Sequence, residues 1–144
     1  MKTDQPKIIE ELFHAHKVLT ISTVAESLGR SEITARRVLK KVGYYSSYTH
    51  NSQYYTIKSV VRFNSYGIWC HNHVCFSEHG TLKATMIRMI DESRAGLTVS
   101  QLSEILRMKC YAAVHLFHKQ GAFNHIKRGK GFIYLSTQES IHQS

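Results

Sequence analysis

No stretch of this chain is apolar for long enough to predict a membrane span, and its polar N-terminus does not read as a signal peptide. Cysteine is scarce. Cys70, Cys75 and Cys110 are too few and too unevenly spaced for a disulfide framework, which predicts a reducing, cytoplasmic setting, on the nucleoid if the source is bacterial. No nucleophile-elbow glycine pattern, P-loop, dinucleotide fingerprint or paired-carboxylate candidate is present. A non-enzymatic protein with no cofactor is therefore expected. Acidic residues are also sparse, 10 against 19 Lys and Arg, leaving a formal net charge of +9. That surplus does not bear on fold, but it favours a polyanionic partner, and ten histidines add to it below pH ~6.5.

What is present is an internal repeat. Leu19-Thr20-Ile21-Ser22 returns as Leu97-Thr98-Val99-Ser100, 78 positions on, and the register then holds without a gap. Glu26 maps to Glu104, Leu28 to Leu106, Ala35 to Ala113, Lys41 to Lys119 and Gly43 to Gly121. A self-match at fixed period means two copies of one supersecondary unit. Each copy reads as helix, tight turn, helix, then hairpin.

In the first copy, Asp4 and Pro6 start a helix with Ile8, Ile9, Leu12 and Phe13 on one stripe. Thr20 caps a second helix facing inward through Ile21, Val24, Ala25 and Leu28, and Gly29 closes it. Ser31 caps a third, whose Ala35, Val38, Leu39 and Val42 follow the inward-facing spacing. A tyrosine-rich hairpin turning through His50-Asn51-Ser52 follows. In the second copy Leu82, Met86, Ile87 and Ile90 line the first helix, and Thr98 with Gln101 forms a capping box on the second. The third is expected to present Ala113, Leu116 and Phe117 inward, and a glycine-containing turn at 127–131 joins its hairpin. Residues 58–80 belong to neither copy. Phe63, Tyr66, Ile68 and Trp69 are too apolar for a flexible linker, and predict a strand or irregular hairpin packing the halves together.

Burying one face of the third helix turns Ile33, Thr34, Arg36, Arg37 and Lys40 outward, with Lys41 on a flank. A helix fits the major groove, where Arg pairs with guanine O6 and N7 and Lys holds phosphate. The stretch Ser31-Glu32-Ile33-Thr34-Ala35-Arg36-Arg37-Val38-Leu39 resembles the recognition helix of bacterial winged-helix repressors, which carry a capping Ser, then Thr, a small apolar residue, Arg and later Leu. The resemblance covers roughly residues 8–57 and 83–135. Glu32 departs from it, since many relatives place a basic or polar residue there; it suits either cytosine N4 or support of the helix N-terminus.

The wings differ. The first offers Tyr48, His50, Asn51 and neighbouring hydroxyls and amides to phosphate oxygens or a minor groove; the second packs Lys127, Arg128 and Lys130 around two glycines, suited to a phosphate strand. The third helix of the second copy turns Tyr111, Val114, His115 and His118 outward, a packing or partner surface more than a reading face. Cys70, His71, His73 and Cys75 are zinc-ligand types, but their spacing matches no standard pattern, so they are weak candidates and no metal is expected.

The expected fold is α+β, mainly α: two tandem winged-helix modules at 1–62 and 81–137, an apolar connector at 63–80 and a polar tail at 138–144. The resemblance implies a sequence-specific double-stranded DNA-binding transcriptional regulator, with Ser31, Thr34, Arg36, Arg37, Lys40 and Lys41 on the reading helix. A plasmid- or phage-type replication initiator and a winged-helix interaction scaffold are the alternatives. The expected partners are duplex DNA and a second copy, the latter through module 2 or the connector; a membrane is not among them.

Overall fold

Six α-helices and three small antiparallel sheets occur among the described residues, 4–137, of a computed structural model. The α+β class is as expected. The polar tail at 138–144 lies outside the described residues. The chain divides into two compact units, Met1–Gly80 and Thr81–Ser144. No helix among the described residues is long and apolar enough to cross a membrane.

The first unit begins with α1 (Gln5–His16), where the Asp4 carboxylate accepts from the Lys7 N–H at 3.2 Å and Pro6 sits in the first turn, where its missing N–H leaves no bond unmade. A two-residue strand, β1 (Leu19–Thr20), leads directly into α2 (Ile21–Leu28), so that Thr20 is at once strand and N-cap, accepting from the Thr23 N–H. Gly29 ends α2 in the left-handed region. Ser31 then caps α3 (Glu32–Val42) through the Thr34 N–H at 3.2 Å. Ala35, Val38 and Leu39 of α3 enter one core with Ile9, Phe13, Val24, Ala25, Ile57 and Val60. Strands β2 (Tyr44–Ser46) and β3 (Tyr54–Ile57) complete a sheet of order β1-β3-β2. The outward face of α3 is thus fixed by the burial of the inward one.

The apolar stretch after β3 is a hairpin, β4 (Ile68–His71) paired with β5 (Val74–Ser77). Two expectations are corrected here. The stretch is not a connector standing between two modules: it lies within the first unit, where Trp69 packs against the core and β5 bonds to the loop between β2 and β3. And Cys70 and Cys75 are joined in a disulfide, which the count and spacing of cysteines did not predict. The physical reason is register. A two-residue turn at Asn72-His73 sets Cys70 directly across from Cys75, a proximity that cysteine counting does not detect.

The second unit repeats the order. It holds α4 (Leu82–Glu92), α5 (Val99–Leu106), α6 (Tyr111–Lys119), β6 (Asn124–Arg128) and β7 (Gly131–Leu135). The bounds of α5 are those of α2 shifted by 78, Thr98 caps it in a full capping box, and Leu97 bridges Tyr134 as Leu19 pairs with Tyr55. Gly96 is required where it stands, since at φ +77° a Cβ would meet the Tyr134 carbonyl oxygen and the side chains of Ile133 and Leu135. One helix departs from the repeat. Val114 is buried and Leu116 is 51% exposed, reversing the expected orientation. Lys109 stands where Ser31 caps the first copy, and α6 instead starts one residue later from Cys110, which is fully buried and donates its N–H to Ser103 Oγ. Starting from that buried position rotates the inward stripe to Cys110 and Val114.

Candidate nucleic-acid interface

The outer face of α3 carries Arg36, Arg37, Lys40 and Lys41, all exposed. Ser31 and Thr34 sit at its start, and both hydroxyls are engaged: Ser31 Oγ accepts from the Thr34 N–H and donates to Thr34 Oγ1 at 3.1 Å. They position the first turn. Arg36 reaches across to β3, where its Nη1 donates to the Tyr55 hydroxyl at 3.1 Å, and it lies 4.0 Å from the Glu32 carboxylate one turn back. Glu32 therefore orients an arginine as well as sitting in the first turn, where its charge suits the helix dipole. Arg37, Lys40 and Lys41 make no ion pair among the described residues. A basic helix face with one pre-oriented guanidinium is the arrangement the major groove accepts.

The loop joining β2 to β3 stands beside this face. His50, Asn51 and Ser52 are exposed and follow one another in the left-handed region, at φ 53°, 53° and 59°. Three such residues in succession, none of them glycine, cost of order 1–3 kcal/mol each and need external support. That support comes from β5. The Tyr48 N–H donates to the Cys75 carbonyl at 2.9 Å, the Cys75 N–H donates to Thr49 Oγ1 at 3.1 Å, and Ser47 Oγ donates to the Thr49 carbonyl at 2.7 Å. Tyr48 is consequently corrected as a DNA contact: it is 9% exposed, because the chain dips toward β5 before the loop rises. His50 and Asn51 remain outward, with His50 Nδ1 2.9 Å from Thr49 Oγ1 and its ring edge-on to Tyr54. Between loop and helix lies an open cleft of about 440 Å³ bordered by Thr20, Arg36, Asn51, Gln53 and Tyr55. Gln53 is among the amides expected of the first wing, whereas sequence reasoning overlooked Tyr55 as the partner of Arg36. Strand alternation carried the only signal for Tyr55, and it does not say which helical residue lies opposite.

In the second unit Lys127 and Arg128 lie on β6, with Lys130 in the two-residue turn beside Gly129. The strands run further than the expected 127–131 turn allowed, so the hairpin arm is longer. All three cations are exposed, and none makes an ion pair among the described residues. The other end of the hairpin is held to α6 by rings: His118 stacks on His125 at 4.0 Å, and His125 on Phe132 at 4.4 Å. Burial and the neighbouring His125 and His115 together hold the His118 imidazole below its ordinary pKa.

The weak metal candidates do not converge. Cys70 and Cys75 bond to each other, His71 stacks on Trp69, and His73 occupies the hairpin turn. The turn at Asn72-His73 separates His71 from Cys75, so the three side chains do not follow one another along a single strand. No group of three or more ligand side chains suited to a metal ion occurs among the described residues. Compared with protein-family models, with curated proteins and with solved structures, the chain gives no match.

Proposed function

We propose that the chain is a non-enzymatic, sequence-specific binder of double-stranded DNA that acts in transcription control, built from two winged-helix modules. In this reading α3 enters the major groove, Arg36 and Arg37 read bases, Lys40 and Lys41 hold the flanking phosphates, and the β2–β3 loop follows the backbone. The β6–β7 arm adds sequence-independent phosphate contacts through Lys127, Arg128 and Lys130. One observation carries it: an arginine oriented from α3 onto Tyr55 stands on a helix face with three cations, Arg37, Lys40 and Lys41, that make no ion pair among the described residues, beside an exposed, braced loop. The element order of each unit and the charge of +9 support the same reading.

Selection of binding sites from random duplex DNA tests it. A defined consensus is expected, with its strongest positions lost in Arg36→Ala and Arg37→Ala. Recovery of unenriched sequence at every salt concentration would refute it and favour an interaction scaffold.

A further inference from the structure

The second unit has a cleft where the first unit has its own, and its chemistry is different. Thr98, Val99 and Ser100 border it as Thr20, Ile21 and Ser22 border the first, 78 positions apart. In the first unit Arg36 crosses to Tyr55. Its counterpart by the repeat is Val114, which is buried, so no polar side chain spans the second cleft, and the space grows to about 610 Å³. Two aromatic rings open onto it, Tyr111 at 63% and Phe132 at 42% exposure, with His115 and Arg128 beside them. No carboxylate lines it among the described residues. Two exposed rings lining one cleft form a contiguous apolar patch of the kind that marks a binding surface, and the cations beside them favour an anionic occupant.

The occupant must therefore combine a flat apolar surface with negative charge. Phe132 already ends a stack that runs through His125 to His118, and its exposed side is available to continue it. Beyond the cleft the hairpin carries Lys127 and Lys130 in addition to Arg128. Stacking rings interleaved with cations are how unpaired nucleic acid strands are held, because every base has a π-face and every linkage a charge. Paired bases cannot use such a cleft, since their faces are occupied by neighbours in the duplex. From this geometry we infer that the second unit binds single-stranded nucleic acid, with a base against Tyr111 and Phe132 and its phosphates on Arg128 and the adjoining lysines. This site is separate from the duplex-reading face proposed for the first unit and does not require it; it shares only the arm cations Lys127, Arg128 and Lys130 with the phosphate contacts of that reading.

The test is fluorescence anisotropy of the full chain with labelled oligothymidylate of about 12 nucleotides, beside an abasic strand of equal length and a duplex. Tyr111→Ala and Phe132→Ala should each weaken oligothymidylate binding about tenfold, and the abasic strand should bind at least tenfold less tightly than the oligothymidylate. Tyr111→Phe, which keeps the ring, should bind like the parent. Tyr111→Ala should leave the duplex titration unchanged, which also reports that the variant is folded. Equal binding of the abasic strand, or indifference to both alanine variants, would overturn the inference. So would sedimentation showing that Tyr111→Ala abolishes self-association while oligothymidylate binding persists, since the cleft would then belong to a second copy. Loss of duplex binding in Arg36→Ala bears only on the first unit, so the two readings fail separately.

Discussion

Thr49→Val removes one hydroxyl, which accepts from the buried Cys75 N–H and also lies 2.9 Å from the exposed His50 Nδ1. The two side chains have nearly the same volume, so no cavity is left at a residue that is 9% exposed. What changes is the fate of the Cys75 N–H. Cys75 lies one pair in from the tight turn of its hairpin, at a position where N–H and C=O point away from the partner strand, and there the Thr49 hydroxyl accepts at 3.1 Å. Cys75 is fully buried, so water does not substitute. A buried donor stripped of its partner costs about 1–3 kcal/mol. For a unit of this size each kcal/mol lowers the midpoint by roughly 4–8 °C, so a fall of about 4–24 °C is expected. Trp69, the single tryptophan, lies on β4 of the same hairpin, so its fluorescence follows the first unit. Urea and thermal unfolding read at Trp69 should both shift, and duplex affinity should fall with them because the loop at His50–Ser52 loses a brace. A Trp69 transition unchanged by Thr49→Val would refute the claim that β5 holds this loop through that hydroxyl.

Other outcomes follow from the same geometry. Arg36→Ala and Arg37→Ala should each cost about 1–3 kcal/mol on the preferred duplex and much less on scrambled DNA in paired titrations; the Glu32 contact of Arg36 is too exposed for its loss to destabilise the fold appreciably. Lys127→Ala and Arg128→Ala should instead weaken binding to all duplexes alike. With about five to eight phosphates neutralised, the parent slope of log K against log salt should be roughly −4 to −7, and each of these variants should flatten it by about one. His118 is held below its ordinary pKa by burial and by His125 and His115, so the folded second unit takes up its proton at lower pH than the unfolded chain. Its contribution to stability is complete above the unfolded value of about 6.5 and is lost as pH falls through that value toward the folded one. Melting of the second unit, followed by circular dichroism, should accordingly fall as pH drops below about 6.5, and His118→Phe should shrink that dependence.

Much of the local architecture is legible in the residues. Asp4, Thr20, Ser31 and Thr98 announce the helix starts that they cap, and the spacing of Ala35, Val38 and Leu39 fixes which side of α3 faces outward. These are short-range matters, settled within one or two turns of chain. What escapes are meetings across long separations. The contact of Cys75 with Thr49 spans two hairpins and depends on their mutual placement, which no periodicity encodes. The turn at Asn72-His73 has positive φ at both residues without a glycine to signal it, so the pairing of Cys70 with Cys75 passes unseen. The orientation of α6 is lost for a different reason. The repeat carries Val38 onto Leu116, but the buried start at Cys110 overrides the inherited pattern. For the reading face, the cations are evident from the sequence, whereas the partnership of Arg36 with Tyr55 is not.

The turn after α2 and the turn after α5 share one backbone shape. Gly29 stands at φ 65° and ψ 34°, and Arg107 at φ 58° and ψ 36°. Glycine takes that conformation freely, whereas arginine must crowd its Cβ against the chain to hold it, at a cost of about 1 kcal/mol. The second copy therefore holds this geometry without the residue that makes it easy. The two copies behave as one mould cast in different materials, and the second casting carries a flaw that a single substitution would mend: Arg107→Gly should raise the melting point of the second unit by a few degrees. The likeness holds where each turn leaves its helix, at Gly29 and Arg107, and ends before the next one, since α6 starts one residue later than the repeat would place it. A chimaera carrying the first turn in the second copy would ask how far the position of α6 follows from its turn and how far from the burial of Cys110.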